Sequence, residues 1–413
     1  MAKNVLVLGA GIVGMSTAIH LRRRGIEATV VDRVGPAAGA SFGNGGLIQR
    51  EAVFPYRFPR ELGTLLRVAR NRSVDVSYAS LALARMAPAL LRYFMASAPG
   101  PYAQTVRKEA ALISTCLDEH LDLAREAGAL DLLRPVGWLR AYSTQRDLDE
   151  AVTAAETARR AFGVNFSTLD GAGLAKAEPD FQPRRVGALH WTQSLSLSDP
   201  GGLIAAYAQL FERLGGRILR GDGTKLERRG AAWRLATEDG FVEASDVVVA
   251  MGAWSVDLTA RFGYAPPLFG KRGYHMHYLL SEGAKLNRPI LDSESQFLLA
   301  PMKHGVRLTT GVEFADRDGA PTPVQLARAE PIARRLLPLG ERVDAAPWMG
   351  VRPCMPDMIP VIGQAPGIAG LWCGFGHGHQ GMTLGPTTGR MLAEMVVGER
   401  PLLDPEPYRA DRF

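Results

Sequence analysis

Two periodicities divide the chain. Continuous apolar runs at Val5–Leu8, Ala28–Val31 and Val247–Val249 suit strands buried on both faces of a parallel sheet. Residues 186–198 alternate instead, with Trp191, Leu195 and Leu197 set against Gln193, Ser194 and Ser196. Residues 271–280, 295–301 and 305–314 alternate too, which predicts half-buried antiparallel strands of a second sheet. Shorter strands are predicted at 136–144, 217–219, 233–237, 241–244 and 371–374. Helical spacing marks 15–24 (closed by Gly25), 62–70, 79–97, 102–127, 145–162, 323–336 and 383–397 (closed by Gly398). Asp199-Pro200 reads as an N-cap acid and a first-turn proline, opening a helix that runs to Leu214 and stops at Gly215-Gly216. Parallel-sheet elements recur at both ends of the chain, so its domains are interleaved.

The first run continues as Gly9-Ala10-Gly11-Ile12-Val13-Gly14, a helix and a second strand ending in Asp32, 18 residues past Gly14. Gly9 serves a tight turn, Gly11 lets the backbone approach a pyrophosphate, and Gly14 lets the helix press on the strand. The helix N-terminus aims unpaired N–H groups and a positive dipole at the phosphates, and Asp32 suits an adenosine ribose. This order predicts dinucleotide binding without separating FAD from NAD. The loop 35–46 is built of small residues, so a backbone there can lie close to a ligand. Gly252-Ala253-Trp254-Ser255, after the strand at 246–249, offers a second closure of the same site.

Composition changes this picture little. A chain of 413 residues with 46% hydrophobic and 22% charged content is an ordinary globular protein of about two domains. Cys116, Cys354 and Cys373 are scattered, which argues against a disulfide framework or zinc site and for a reducing, cytoplasmic setting. The apolar N-terminus is used as the first strand, so no signal peptide is read there. The stretch 81–98 is interrupted by Arg85, Pro88 and Arg92 and predicts no membrane span. Charge placement says more. Residues 57–108 carry eight arginines and one lysine against Glu61 and Asp75, a balance of 9 − 2 = +7 in a total of +6, leaving 6 − 7 = −1 elsewhere. Leu65, Leu66, Leu90, Leu91, Tyr93 and Phe94 interleave with these bases. The plain reading is a solvated helical face. The sharper one is peripheral contact with an anionic membrane, on the inner membrane face of the cell. Nucleic acid is the weakest and is not expected as a partner.

A second constellation follows at 348–398. Gly376 to Gly381 precedes a helix and presents another N-terminal, anion-favouring turn. Together with Gly9–Asp32, these residues carry a family pattern: Ser41-x-x-Asn44-x-Gly46, Gly252-Ala253-Trp254-Ser255, Lys271-Arg272-Gly273-Tyr274, Gly350-x-Arg352-Pro353-x-x-Pro356-Asp357, Gly376-His377-Gly378-x-x-Gly381-x-Thr383 and Asp404-Pro405-x-x-Tyr408-x-x-x-Arg412-Phe413. The chain resembles the FAD-dependent D-amino-acid oxidase superfamily over nearly its whole length. Within it, the small-subunit type of bacterial D-amino-acid dehydrogenase is the nearest in pattern, with glycine and sarcosine oxidases as relatives.

The resemblance implies an α/β fold in which a Rossmann-like FAD-binding domain (1–80, 199–267 and 346–413) interleaves with an antiparallel-sheet, α+β substrate-binding domain (81–198 and 268–345). It implies non-covalent FAD. Gly9, Gly11, Ile12, Val13 and Gly14 would hold the pyrophosphate, with Asp32 and Arg33 at the adenosine. Ala40, Ser41, Asn44, Gly45, Gly46 and Leu47 would run beside the phosphates and flavin ring. Gly223 or Thr224, placed in a strand after Gly216, would meet the adenine, and Gly252 and Trp254 would close the tunnel. Gly378, His379, Gln380, Gly381, Met382 and Thr383 would face the flavin, where a helix N-terminus favours negative charge. Arg352 would grip a substrate carboxylate through paired hydrogen bonds. Phe297 stands where some relatives place a tyrosine, so either Tyr274 or another group would help to hold the carboxylate or Arg352 would act alone, with His379 a further substrate contact. The implied reaction is hydride transfer from Cα of a small amino acid to flavin N5, giving an imino acid that hydrolyses to a keto acid, with quinone or oxygen as electron acceptor. Alternatives are a secondary-amine substrate (sarcosine, hydroxyproline, an opine), a tRNA-modifying flavoprotein and a non-catalytic dinucleotide module. His275, His277, His377 and His379 read as structural rather than as a metal site.

Overall fold

A computed structural model describes residues 3–182 and 185–413. Its first sheet grows from the motif that opens the chain. Strand β1 (Asn4–Leu8) leads into helix α1 (Ile12–Arg23) and strand β2 (Glu27–Asp32). Val5 to Leu8 are buried throughout, as a strand between two helical layers must be. The sheet has six strands in the order Arg217–Arg220, β2, β1, Asp246–Val249, Leu371–Phe375 and Val361–Gln364. The first five are parallel and the last is antiparallel. Three distant segments thus build one sheet, and the C-terminal helix Gly381–Val397 packs beside α1. The helix Pro200–Arg213 begins as expected, with Asp199 Oδ1 accepting from the Gly202 N–H at 2.8 Å.

The second sheet has eleven strands and is mostly antiparallel, centred on the long strand Phe269–Leu280. That strand pairs with Gly305–Thr309 on one side and Trp348–Cys354 on the other. Two alternating stretches are broken where the sequence pattern ran on. Residues 186–198 form two strands, Gly187–Trp191 in the large sheet and Leu195–Leu197 in a small sheet with Leu47–Ile48 and Leu133–Arg134. Between them Gln193 accepts from the Asn165 N–H and Ser194 from the Arg50 N–H, so these polar residues staple loops instead of continuing a ladder. The stretch 305–314 breaks after Thr309, where Gly311 packs against the Asp75 backbone and the Val312 N–H donates to the Asp75 carbonyl at 2.8 Å. Residues 295–297 precede their strand, which spans Leu298–Met302. The basic region folds as helices Leu62–Ala69, Ser80–Ala96 and Pro99–Ala127, the last starting at its proline. Among the described residues, no helix is long and apolar enough to cross a membrane.

Candidate active site

One cavity of about 790 Å³ reaches from the C-terminal ends of the parallel strands to the strands carrying Lys271 and Arg352. That lies in the upper part of the ~300–1,000 Å³ typical of small-molecule sites. Its first wall is the turn between β1 and α1. Gly9 has φ +106°, and an added Cβ would meet the Ala250 carbonyl oxygen at 2.4 Å. A Cβ at Gly14 would lie 1.9 Å from the Gly9 oxygen, so helix and strand touch backbone to backbone. Helix α1 has no acidic residue in its first turn and no side-chain cap. No carboxylate of the helix itself offsets its positive end, which faces the cavity and suits a phosphate. Ser41 Oγ accepts from the Ile12 N–H at 3.1 Å and ties the small-residue loop to this entrance.

Asp32 has a structural task as well as a place in the wall. Its Oδ2 accepts from the Ala10 N–H at 2.9 Å, and Oδ1 from the N–H groups of Val34 (2.8 Å) and Gly35 (2.9 Å). It therefore fixes the glycine turn and the loop after β2 together. Arg33, Gly223, Thr224, Gly252 and Trp254 line the same end. Arg33 lies over the Trp254 ring at 5.6 Å, and the Trp254 indole donates to Asp318 at 2.9 Å. Ile12, Val13, Ala40, Ser41, Asn44, Gly45 and Leu47 line the middle, with Gly378, His379, Gly381 and Met382 across from them. The helix Gly381–Val397 also lacks a side-chain cap and a first-turn acid, a second helix entrance open to negative charge. A cavity between two uncapped helix N-termini, floored by glycines whose Cβ would collide, fits a dinucleotide carrying a ring that becomes anionic.

At the far end stands Arg352. It lies on the strand Trp348–Cys354 and its guanidinium crosses Gly273 on the neighbouring strand, where a Cβ would be 2.4 Å from Nη1. Nη1 donates to the carbonyls of Gly311 (2.9 Å) and Arg272 (3.3 Å), and Nη2 to Thr310 at 3.4 Å. These acceptors are neutral, so the cation is aimed and held but not neutralised. Its pKa is pulled down by burial. His379 lies against Tyr56, ring centroids 4.9 Å apart and planes tilted by 45°. Burial, then the Arg352 and Lys271 charges, hold its imidazole well below the ordinary value and hence neutral. Tyr56 keeps 60% of its surface open and lines the cavity.

Several expected positions are corrected. Phe297 does not line the cavity but is buried in the apolar core with Leu139, Met276 and Leu299. The Tyr274 phenol is spent: it donates to Glu313 at 2.6 Å and accepts from Arg272 and the Thr322 N–H at 2.9 Å each. It alternates to the face opposite Gly273 and cannot also hold a carboxylate. Gly46 turns away from the cavity, its carbonyl accepting from the Leu197 N–H and its α-carbon against Met302. Gln380 and Thr383 sit behind the rim, bonded to Gln49. In the preceding turn the Gly378 and Gln380 N–H groups are already used, by the Pro353 and His377 carbonyls. Gly223 and Thr224 lie in a helical turn, not a strand. The four histidines do not converge: His377 bonds Thr388 at 2.9 Å, whereas His275 and His277 meet Asp344. Arg307 donates to His277 Nε2 at 2.9 Å while Asp344 takes Nδ1, so both ring nitrogens are engaged and a cation already stands there. Arg307 also binds the Phe42 and Asn44 carbonyls, making the cluster a brace for the cavity loop.

The pattern of residues did not point to Tyr56, Gly273 or the Thr310 and Gly311 carbonyls. Only a glycine diagonally across the strand pair from an arginine could have hinted at them.

The family model described as FAD dependent oxidoreductase (DAO) matches residues 4–395. A D-amino-acid oxidase of Bradyrhizobium diazoefficiens is 29% identical, covering 100% of this chain and 99% of that protein. A D-amino acid dehydrogenase of Cereibacter sphaeroides is 30% identical, covering 99% and 95%. Among solved structures, glycine oxidase from Geobacillus kaustophilus superposes with a TM-score of 0.71 at 21% identity, covering 99% of this chain and 98% of that one. The uncapped helix entrances, the glycine cradle and this family match agree, and the chain belongs to the DAO family of FAD-dependent oxidoreductases.

Proposed function

We propose that this protein oxidises the CH–NH bond of a small amino acid, a D-amino acid before others, to the imino acid that hydrolyses to a keto acid. Bound FAD, held without a covalent link, supplies the chemistry by accepting a hydride from Cα at its N5. The observation that carries the reading is Arg352, a half-buried cation at the cavity wall held, among the described residues, by neutral carbonyls. A charge partly withdrawn from water without a counter-ion favours an anionic ligand, and a guanidinium matches a carboxylate with two parallel hydrogen bonds. That grip fixes which face of Cα meets the cofactor, so orientation does much of the work. His379, held neutral by burial and by the Arg352 and Lys271 charges, lines the cavity as a hydrogen-bonding partner for an amine that reacts in its uncharged form. Relatives named D-amino-acid oxidase and D-amino acid dehydrogenase support a D-amino acid.

The acceptor reading rests on the surface at 54–95. Leu62, Leu66, Leu81, Leu91 and Met95 are all exposed there, and the helix Leu62–Ala69 buries none of its residues. With the surplus of arginines, this face suits an anionic bilayer and a quinone acceptor better than oxygen in bulk solvent.

The deciding experiment is an anaerobic screen of D- and L-amino acids, glycine, sarcosine and proline, following bleaching of the flavin with and without an acceptor dye. A D-amino acid is expected to bleach it, and Arg352→Ala to lose turnover while keeping its flavin. Undiminished kinetics in that variant would remove Arg352 from its role.

A further inference from the structure

Arg352 is not the only cation in the cavity wall that lacks an ion-pair partner. Lys271 stands directly opposite it in the pairing of Phe269–Leu280 with Trp348–Cys354. Residues so paired project to one face, with Cα atoms about 4.5–5.5 Å apart. Lys271 lines the cavity and is 6% exposed. Its Nζ lies 4.3 Å from the ring centroid of Tyr93, 5.4 Å from Phe269 and 5.9 Å from Phe314. The Glu313 carboxylate, on the adjoining strand Val312–Phe314, is taken on the opposite face by Arg272 and Tyr274. Among the described residues, neither Lys271 nor Arg352 has a carboxylate within ion-pair reach. Aromatic faces offset part of the lost hydration of an ammonium. They do not offset its repulsion from a second, half-buried cation on the next strand, which an anion between the two would turn into attraction. A single carboxylate answers one of these charges and leaves the other.

We propose that Lys271 receives a second carboxylate, carried on the substrate's side chain, so that the preferred substrate is a dicarboxylic amino acid. This rests on the reading of Arg352 as the holder of the α-carboxylate. The juxtaposition of the two strands sets both cations within the span of one short carbon skeleton.

The test uses the oxidised holoenzyme and reads the flavin absorbance change as succinate, glutarate, acetate and butyrate are titrated in. The dicarboxylates are expected to bind tighter than the monocarboxylates by about tenfold or more, and Lys271→Met to erase most of that advantage. Methionine is close in volume and removes a buried charge, so fold and flavin content are retained. The ratio of kcat/KM for D-aspartate or D-glutamate over D-alanine is expected to fall by a similar factor in the variant. Equal binding of the two acid classes by the wild type overturns the proposal without any variant. An advantage that survives Lys271→Met overturns it as well, and assigns the lysine to balancing charge on the cofactor. If D-alanine bleaches the flavin but dicarboxylates bind no better, the amino-acid reading stands and this one falls. If dicarboxylates bind through Lys271 but no amino acid bleaches it, the acid preference stands and the amino-acid reading falls.

Discussion

Gly273→Ala tests the placement of Arg352 without touching the arginine. A methyl at Gly273 would sit 2.4 Å from Nη1, 2.6 Å from Nη2 and 2.7 Å from Cζ of Arg352, distances that real contacts do not reach. Gly273 is not in the left-handed region, so alanine meets no backbone strain and the clash falls on the guanidinium. To relieve it the group must leave the carbonyls of Gly311, Arg272 and Thr310 that now aim it. A hydrogen bond to a charged group is worth about 1.5–3 kcal/mol. Losing one such bond to the substrate carboxylate lowers kcat/KM by roughly ten- to 150-fold. The assay is dye-linked turnover of the flavin-loaded variant, with flavin content and thermal midpoint measured alongside. Flavin content is expected to stay near wild type, because Gly273 lies on the substrate side of the cavity. A kcat/KM within twofold of wild type would show that the arginine acts equally well when displaced, and would refute the geometry argued for it.

Asp32→Ala leaves the Ala10, Val34 and Gly35 N–H groups without their acceptor, so FAD affinity and thermal midpoint should both fall; full flavin content after dialysis would contradict this. Glu109 is 2% exposed with Oε2 unpartnered, and burial, then the Asp357 charge, pushes its pKa up to about 8. The folded carboxyl keeps its proton where the unfolded one, near 4.5, has lost it, so its contribution is lost as pH rises from 4.5 to 8. Glu109→Gln should therefore gain on wild type by a few kcal/mol across that window, read as the shift of denaturant midpoints with pH; parallel midpoints would refute it. Flotation with anionic liposomes at low salt should carry the protein upward, and Leu62→Glu with Leu66→Glu should abolish this; equal flotation of neutral vesicles would remove the arginines from the account.

How much of this was written in the order of residues depends on the reach of each interaction. The strand–glycine–helix–strand–acid unit at 4–32 is local, and every part of it reappears in β1, α1 and β2 with the burial its pattern requires. Capped helices such as Pro200–Arg213 and Gln145–Phe162 were legible for the same reason, since caps and stops lie within a few residues of each other. Alternation at 186–198 and 305–314 promised longer strands than exist, because the backbones of Arg50, Asn165 and Asp75 intervene from outside the local pattern. Tyr274 and Phe297 show the same limit at the site. Both sit at suggestive positions, yet one phenol is claimed by Glu313 and the other ring by the apolar core.

The sequence by itself determined that a dinucleotide lies across the end of a parallel sheet, because turn, dipole and acid are set by neighbours along the chain. Only the tertiary structure decided which cations line the cavity. Arg352, Lys271 and Gly273 come together through pairing of strands some eighty residues apart. Whether a charge there is neutralised or left free depends on which carboxylates fold within its reach, and no local pattern carries that information.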